Sequence, residues 1–365
     1  MFSKKIIGFQ GLFLFLCLLT IMVGNAAAAE YWLRVGAANM TMANGKTVPV
    51  WGFGLDQDKN FTTTEGRVSV PGPTLRVGAD DNALIIHLMN NLSEPVSLNI
   101  LGQSLTNNSG PVWTNFPADT ETWSGSRPEG NYTARVRSFT HETQPGQVGE
   151  YRWESFRPGT FMLQSGTNPA KQVQMGMFLP VVKDVSQGSA YADVPYDAEV
   201  IVVFHEVDPV IQLAIAAGKY GAVPGAIIGS SVDYEPKYFL MNGMSYPDKG
   251  MLNINGTGPL FKGERLLIRF LNAGLETHVP TVLGLYMNQW SEDGNRLQYP
   301  RQEYGFELAP GKTADVIVVS PNNPPWQYPL YDGKLNLSNN GVSPGGMFSY
   351  IRSSLPYHLG ADIVQ

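Results

Sequence analysis

The chain has 365 residues and a formal net charge of −6, with charged side chains making up only 15% of it. The slightly acidic balance, with no basic cluster to track a phosphate backbone, argues against nucleic-acid binding. Five histidines and one cysteine, Cys17, narrow the metal and nucleophilic chemistry open to it.

In chain order, residues 1–29 read as a secretory signal: Lys4 and Lys5, an apolar stretch from Ile6 to Val23, and small residues up to a cut after Ala29. A membrane anchor is the alternative, because the apolar stretch approaches the length of a span. The alanine cluster favours cleavage, which predicts a secreted or periplasmic protein with no membrane span. Cleavage removes Cys17, so the exported chain has neither a disulfide nor a thiolate.

About 335 residues remain, enough for two domains. Strands are predicted at ALIIHLMNNL (83–92), EVIVVFHEV (199–207), RLLIRFLNAG (265–274) and TADVIVVSP (313–321), all rich in β-branched and aromatic residues and most closed by turn formers. One helix is expected at PVIQLAIAAGKYG (209–221), with Asp208 as its cap, Pro209 in its first turn and Gly218 near its end. The polar link within 181–200 marks a boundary, so the domains are taken as 30–188 and 189–352, followed by a tail, 353–365. PGPTLRVGADDNALIIHLMNNL in the first half is echoed by GPLFKGERLLIRFLNAG in the second, as two related β units would require.

These pieces resemble the multicopper oxidase family. VPGPTLRV (70–77), the NNL at 90–92, RPGTFMLQSG (157–166) and QMGMFLPVV (174–182) are similar to the start and end of a first oxidase domain. MNGMSYPD (241–248), RLLIRFLNAG (265–274), EDG (292–294) and ELAPGKTADVIV (307–318) are similar to its second. The resemblance implies an all-β chain of two tandem cupredoxin-like, plastocyanin-like Greek-key β-barrels. It also implies copper ligands at four positions of the first domain, where the family carries His-x-His-Gly and His-Ser-His. Here those positions are Asn99, Leu101, Gln164 and Gly166, while the flanking Gly102 and Ser165 persist. Copper in such sites is held by neutral imidazoles, with a thiolate at the blue centre. An amide oxygen is a poor substitute, and leucine and glycine side chains offer no donor.

Other residues were weighed as replacements. His141 lies in a loop, SFTHETQPGQVGEYRW, from which it could approach Gln164 or Asn168; a backbone-bonded loop histidine is the alternative. Met175 and Met177 would face the same way on a strand and offer two thioethers, as would Met40 and Met42. Methionine is also a common core filler. His205 and Glu206, as strand neighbours, would point to opposite faces. His278 follows a strand and is expected to pack or cap a corner. No G-x-S-x-G elbow, phosphate loop or dinucleotide fingerprint occurs.

The expectation is an exported, non-catalytic protein without a bound cofactor, acting as a binding module or a subunit of an extracytoplasmic assembly. A protein partner or self-association follows from that, with Trp113, Phe116 and Trp123 in an aromatic-rich loop as contacts. The alternative is a copper-dependent oxidoreductase with non-standard His/Met ligands, or one completed by another chain. A rigid β spacer is a third possibility.

Overall fold

The computed structural model describes residues 27–62, 67–115, 121–131, 133–247, 259–322, 325 and 327–354. The leader up to Asn25 and Ala26, and Phe116, lie outside the described residues. The first half contains β1 (Ala27–Thr41), β2 (Thr47–Leu55), β3 (Leu75–Val77), β4 (Asp81–Asn90), β5 (Leu98–Ile100), β6 (Val112–Thr114), β7 (Thr122–Ser124), β8 (Arg135–Ser138), β9 (Val148–Glu154), β10 (Gly159–Ser165), α1 (Pro169–Gln172) and β11 (Phe178–Lys183). A linking hairpin, β12 (Ser189–Tyr191) and β13 (Val194–Pro195), leads into the second half. That half contains β14 (Ala198–Val207), α2 (Pro209–Ala216), β15 (Tyr238–Met241), β16 (Leu260–Phe261), β17 (Arg265–Asn272), β18 (Pro280–Val282), β19 (Met287–Glu292), β20 (Asn295–Glu303), β21 (Thr313–Val319), β22 (Gln327–Asp332) and β23 (Phe348–Ser354).

The halves repeat one topology. Sheets β2-β1-β4-β9 and β3-β11-β10-β5 in the first correspond to β15-β14-β17-β21 and β16-β23-β22-β18 in the second, where β19 and β20 extend the larger sheet. The parallel pairs correspond too: β1 with β4 matches β14 with β17, and β3 with β11 matches β16 with β23. The echo seen in the sequence has a shared cause, an asparagine that closes the corner after the central strand. Asn90 accepts from Leu92 N at 2.9 Å and donates to the carbonyls of Glu94 and Thr143, both at 2.9 Å. Asn272 accepts from Gly274 N at 2.9 Å and donates to those of Glu276 (2.7 Å) and Leu308 (2.8 Å). One amide thus satisfies three backbone groups that would otherwise be stranded at a buried corner.

Alternation along the strands sets the cores. Leu84, Ile86 and Leu88 of β4 join Trp153, Phe161 and Leu179 in the first. Leu266, Ile268 and Phe270 of β17 join Phe204, Val316 and Ile351 in the second. Each such side chain contributes about 1.5–3 kcal/mol by leaving water. The opposite face of β17 looks towards the other half: Leu267 packs with the linking hairpin, and Leu271 joins Val50, Met162 and Phe178 of the first barrel. The apolar cluster around Leu271 and Ala273 is therefore the seam between the barrels.

The predicted helix forms as α2, with Asp208 Oδ1 accepting from Val210 N at 2.9 Å and Gly218 at φ +65° behind its end. Two strands run past the expected bounds. β1 begins at Ala27 and pairs Ala28 and Ala29 with Ala83 and Leu84, so a cut after Ala29 would trim the strand. β23 runs to Ser354, pairing Ser353 and Ser354 with Leu260 and Phe261, so part of the expected tail belongs to the sheet. Among the described residues, no helix is long and apolar enough to cross a membrane.

Candidate functional site

β5 and β10 run antiparallel with Asn99 directly opposite Gln164. Beyond the ladder, Leu101 N donates to Met162 O at 3.2 Å and Gly166 N donates to Ser97 O at 3.2 Å. Side chains two apart share a face. Asn99, Leu101, Met162 and Gln164 therefore line the outer face of the smaller sheet, while Leu98, Ile100, Phe161 and Leu163 fill the core behind it. The topology thus brings Asn99, Leu101 and Gln164 to one face, with Leu101 at the seam, while Gly166 lies at the other end of the ladder, opposite Ser97.

What occupies that place is packing. Leu101 and Met162 belong to the seam cluster with Val203, Leu271 and Ala273. Leu101 and Gln164 line a cavity of about 240 Å³ with Val173, Ala273 and Gly311. Asn99 Oδ1 is buried without a hydrogen-bond partner. A Cβ at Gly166 would lie 2.8 Å from Ser97 Oγ. That hydroxyl is tied to Ser138 Oγ at 2.7 Å and to Thr167 Oγ1 at 3.1 Å. The donor set does not fit copper: one amide oxygen, one longer amide, an aliphatic side chain and a glycine with no room beside it. Gly166→His is expected to cost roughly 1–3 kcal/mol through overpacking. The denaturant midpoint measures it, and a midpoint equal to the parent's would mean that the hydroxyl cluster yields freely.

The alternative ligands lie apart. His141 Nε2 donates to Glu150 O at 3.0 Å, and its ring stacks on Tyr151 with centroids 4.4 Å apart. Its Nδ1 is buried without a partner, and neither ring nitrogen bonds Gln164 or Asn168. Met175 and Met177 precede β11, with Gly176 at φ +114° between them, so strand alternation does not apply to them. Both are fully buried, Met175 against Ile211 and Ile215 of α2 and Met177 in the first-barrel core. Their sulfurs sit in different clusters. Among the described residues, no group of three or more His, Cys, Asp or Glu is arranged to hold a metal ion. Trp113 and Trp123 are opposite each other in the β7-β6-β8 sheet, both half-buried, with Trp113 Nε1 donating to Gly125 O at 2.7 Å.

Two buried polar groups have partners that the sequence does not announce. His278 is fully buried between two carboxylates, with Nδ1 bound to Asp332 Oδ2 at 2.9 Å and Nε2 bound to Glu206 Oε1. Burial alone would lower its pKa, but the bonds to Asp332 and Glu206 outweigh it and raise the group to about 9. Burial would raise the Glu206 carboxyl, but the bond and charge of His278, helped by hydrogen bonds from Tyr234 Oη at 2.8 Å and Leu275 N at 2.9 Å, hold it low. His205, next to Glu206 but on the other face, has both ring nitrogens buried without a partner. Burial pushes it down to about 4, and the charge of Glu206 offsets only part of that. The second group is Arg269, whose guanidinium gathers Glu199, Asp184, Asp315 and Thr160 at the seam. The only hint of the first in sequence is the break in the repeat, where His278 stands at the place of Val96 after the matching asparagine corner.

No protein-family model matches the chain, and no curated protein matches it by sequence. Solved structures do. A multicopper oxidase, mgLAC, is 21% identical over 90% of this chain and 87% of its own, with a TM-score of 0.63. A blue copper oxidase from Nitrosomonas europaea is 18% identical over 92% of this chain and 91% of its own, TM-score 0.62. The copper nitrite reductase of the same organism is 17% identical over 90% and 94%, TM-score 0.58. With strand order, paired barrels and these likenesses in agreement, the chain has the two-barrel, all-β cupredoxin fold seen in multicopper oxidases and copper nitrite reductase.

Proposed function

We propose that this is an exported protein with the multicopper-oxidase fold that performs no copper chemistry of its own and serves as a binding module or subunit of an extracytoplasmic assembly. The observation that carries the reading is the seam itself. Where the family resemblance implies imidazoles, Leu101 packs against the second barrel and a side chain at Gly166 would press on the Ser97 hydroxyl at 2.8 Å. Export rests on the charged, apolar and small-residue order of residues 1–29.

The internal repeat supports the subunit part. Leu101 and Gly102 (φ +81°) follow β5 as Leu283 and Gly284 (φ +89°) follow β18. The second barrel covers Leu101, whereas Leu283 is 58% exposed and neighbouring Tyr286 is 62% exposed. An equivalent strand end thus stands open where a second copy would cover it. Trp113 and Trp123, paired on one face, are the other contact candidates, since aromatic side chains dominate binding hot spots.

The test is copper loading of the purified mature chain, followed by bound-metal analysis, the visible spectrum and oxygen uptake with a phenol. Trace copper and no turnover are expected. Several tightly held coppers per chain with turnover would return the protein to the oxidases. In the same preparation, Leu283→Asp should lower the mass seen by light scattering; a parent that is already monomeric at high concentration removes the self-association part.

A further inference from the structure

A second cavity, of about 670 Å³, lies between the first barrel and the loop that follows α2 in the second. Its wall from the first barrel carries Arg135 and Arg137 of β8, Phe139 just beyond it, and Lys171 of α1; Tyr220 faces them from the second. The charged residues of the lining are all cationic, in a chain whose net charge is −6. Glu142 and Glu94 stand outside the lining. Glu142 holds Arg137 at 2.5 Å, and Glu94 holds Lys171 at 2.5 Å. These pairs offset much of the charge of the two cations but fix them in place, which lowers the ordering cost of binding. The site would therefore act through oriented N–H donors more than through net charge. Phe139 is 51% exposed, a large apolar surface beside three cations.

We infer that this cavity is a binding site for a small organic anion with an aromatic or other apolar body. The volume falls within the range of small-molecule sites, about 300–1,000 Å³. A carboxylate or sulfonate would receive charge-assisted hydrogen bonds from the arginines and Lys171, while its ring lay against Phe139 and Tyr220. The site adjoins the cavity at Leu101 and Gln164, with which it shares Pro169 and Ala170, but it uses none of the four predicted ligand positions and stands whether or not any copper is held.

The experiment is fluorescence titration of the mature protein with 1-anilinonaphthalene-8-sulfonate, an anionic aromatic probe. One saturable site per chain is expected, displaced by benzoate but not by benzyl alcohol. Arg135→Gln combined with Lys171→Gln should weaken the probe at least tenfold at unchanged circular dichroism and melting temperature. Phe139→Ala, which removes an exposed ring, should weaken it several-fold and serves if the double variant is unstable. No saturable binding, equal displacement by the alcohol, or parental affinity in a folded variant would each overturn the inference.

Discussion

Arg269→Met is expected to lower the melting temperature by on the order of 10 °C. Arg269 sits on β17 with its side chain fully buried, on the face turned towards the first barrel. Its Nη1 donates to Thr160 Oγ1 at 3.0 Å; its Nε and Nη2 reach Glu199 and Asp184. Asp315, 3.9 Å from Nη1, accepts from Thr160 Oγ1 at 2.5 Å, Tyr191 Oη at 2.5 Å and Ser291 Oγ at 2.8 Å. Methionine would retain the volume but leave Asp315 buried without its cation and Glu199 without one of its two. Breaking a buried ionic cluster from one side costs roughly 3–5 kcal/mol. At about 2–4 °C per kcal/mol for a domain of this size, that spans roughly 6–20 °C. Arg76 relieves part of it, because it also binds Glu199. Adding Glu199→Gln and Asp315→Asn should recover a share of the loss, since the uncompensated charges go with them. A single variant melting within 2 °C of the parent would mean that the cluster does not hold the barrels together.

Stability should pass through a maximum near pH 6.5, with two wings that separate substitutions remove. On the alkaline side, His278 rises from 6.5 to about 9 in the folded chain. Its contribution is complete below pH 6.5 and is lost as pH climbs through 9, because the folded state then gives up a proton that the unfolded state has already released. On the acid side, His205 falls from 6.5 to about 4. Its neutral ring is tolerated above pH 6.5, and stability drops as pH falls towards 4, because only the unfolded state takes the proton readily. Each shift, near two and a half units, corresponds to roughly 3 kcal/mol at full extent. His278→Gln should flatten the alkaline limb while lowering stability at pH 6, since Glu206 and Asp332 lose their shared partner. His205→Phe should flatten the acid limb and leave stability at pH 8 little changed or higher, because the ring sits edge-on to Phe178 and bonds to nothing. Urea midpoints across pH 4–10 measure both. Limbs that persist in the variants would assign the dependence to other groups.

The sequence by itself determined the fold class, the central strands, the capped helix and the absence of imidazole or thiolate at 99, 101, 164 and 166. Each of these is local: alternation picks a strand face, Asp208 caps its own helix, and a residue type either carries a donor or does not. The tertiary structure alone decided where the polar atoms went. His278 and Glu206 are 72 residues apart, and Thr160 and Asp315 are 155 apart, so no local spacing announces either pairing. It also decided that Met175 and Met177 part company, because the turn at Gly176 breaks the alternation that would have aligned them. Packing one barrel against the other made the face of Leu101 and Met162 an apolar seam and left a cavity lined by Arg135, Arg137 and Lys171 beside it. Long-range burial, which a linear pattern of residues does not specify, made that choice.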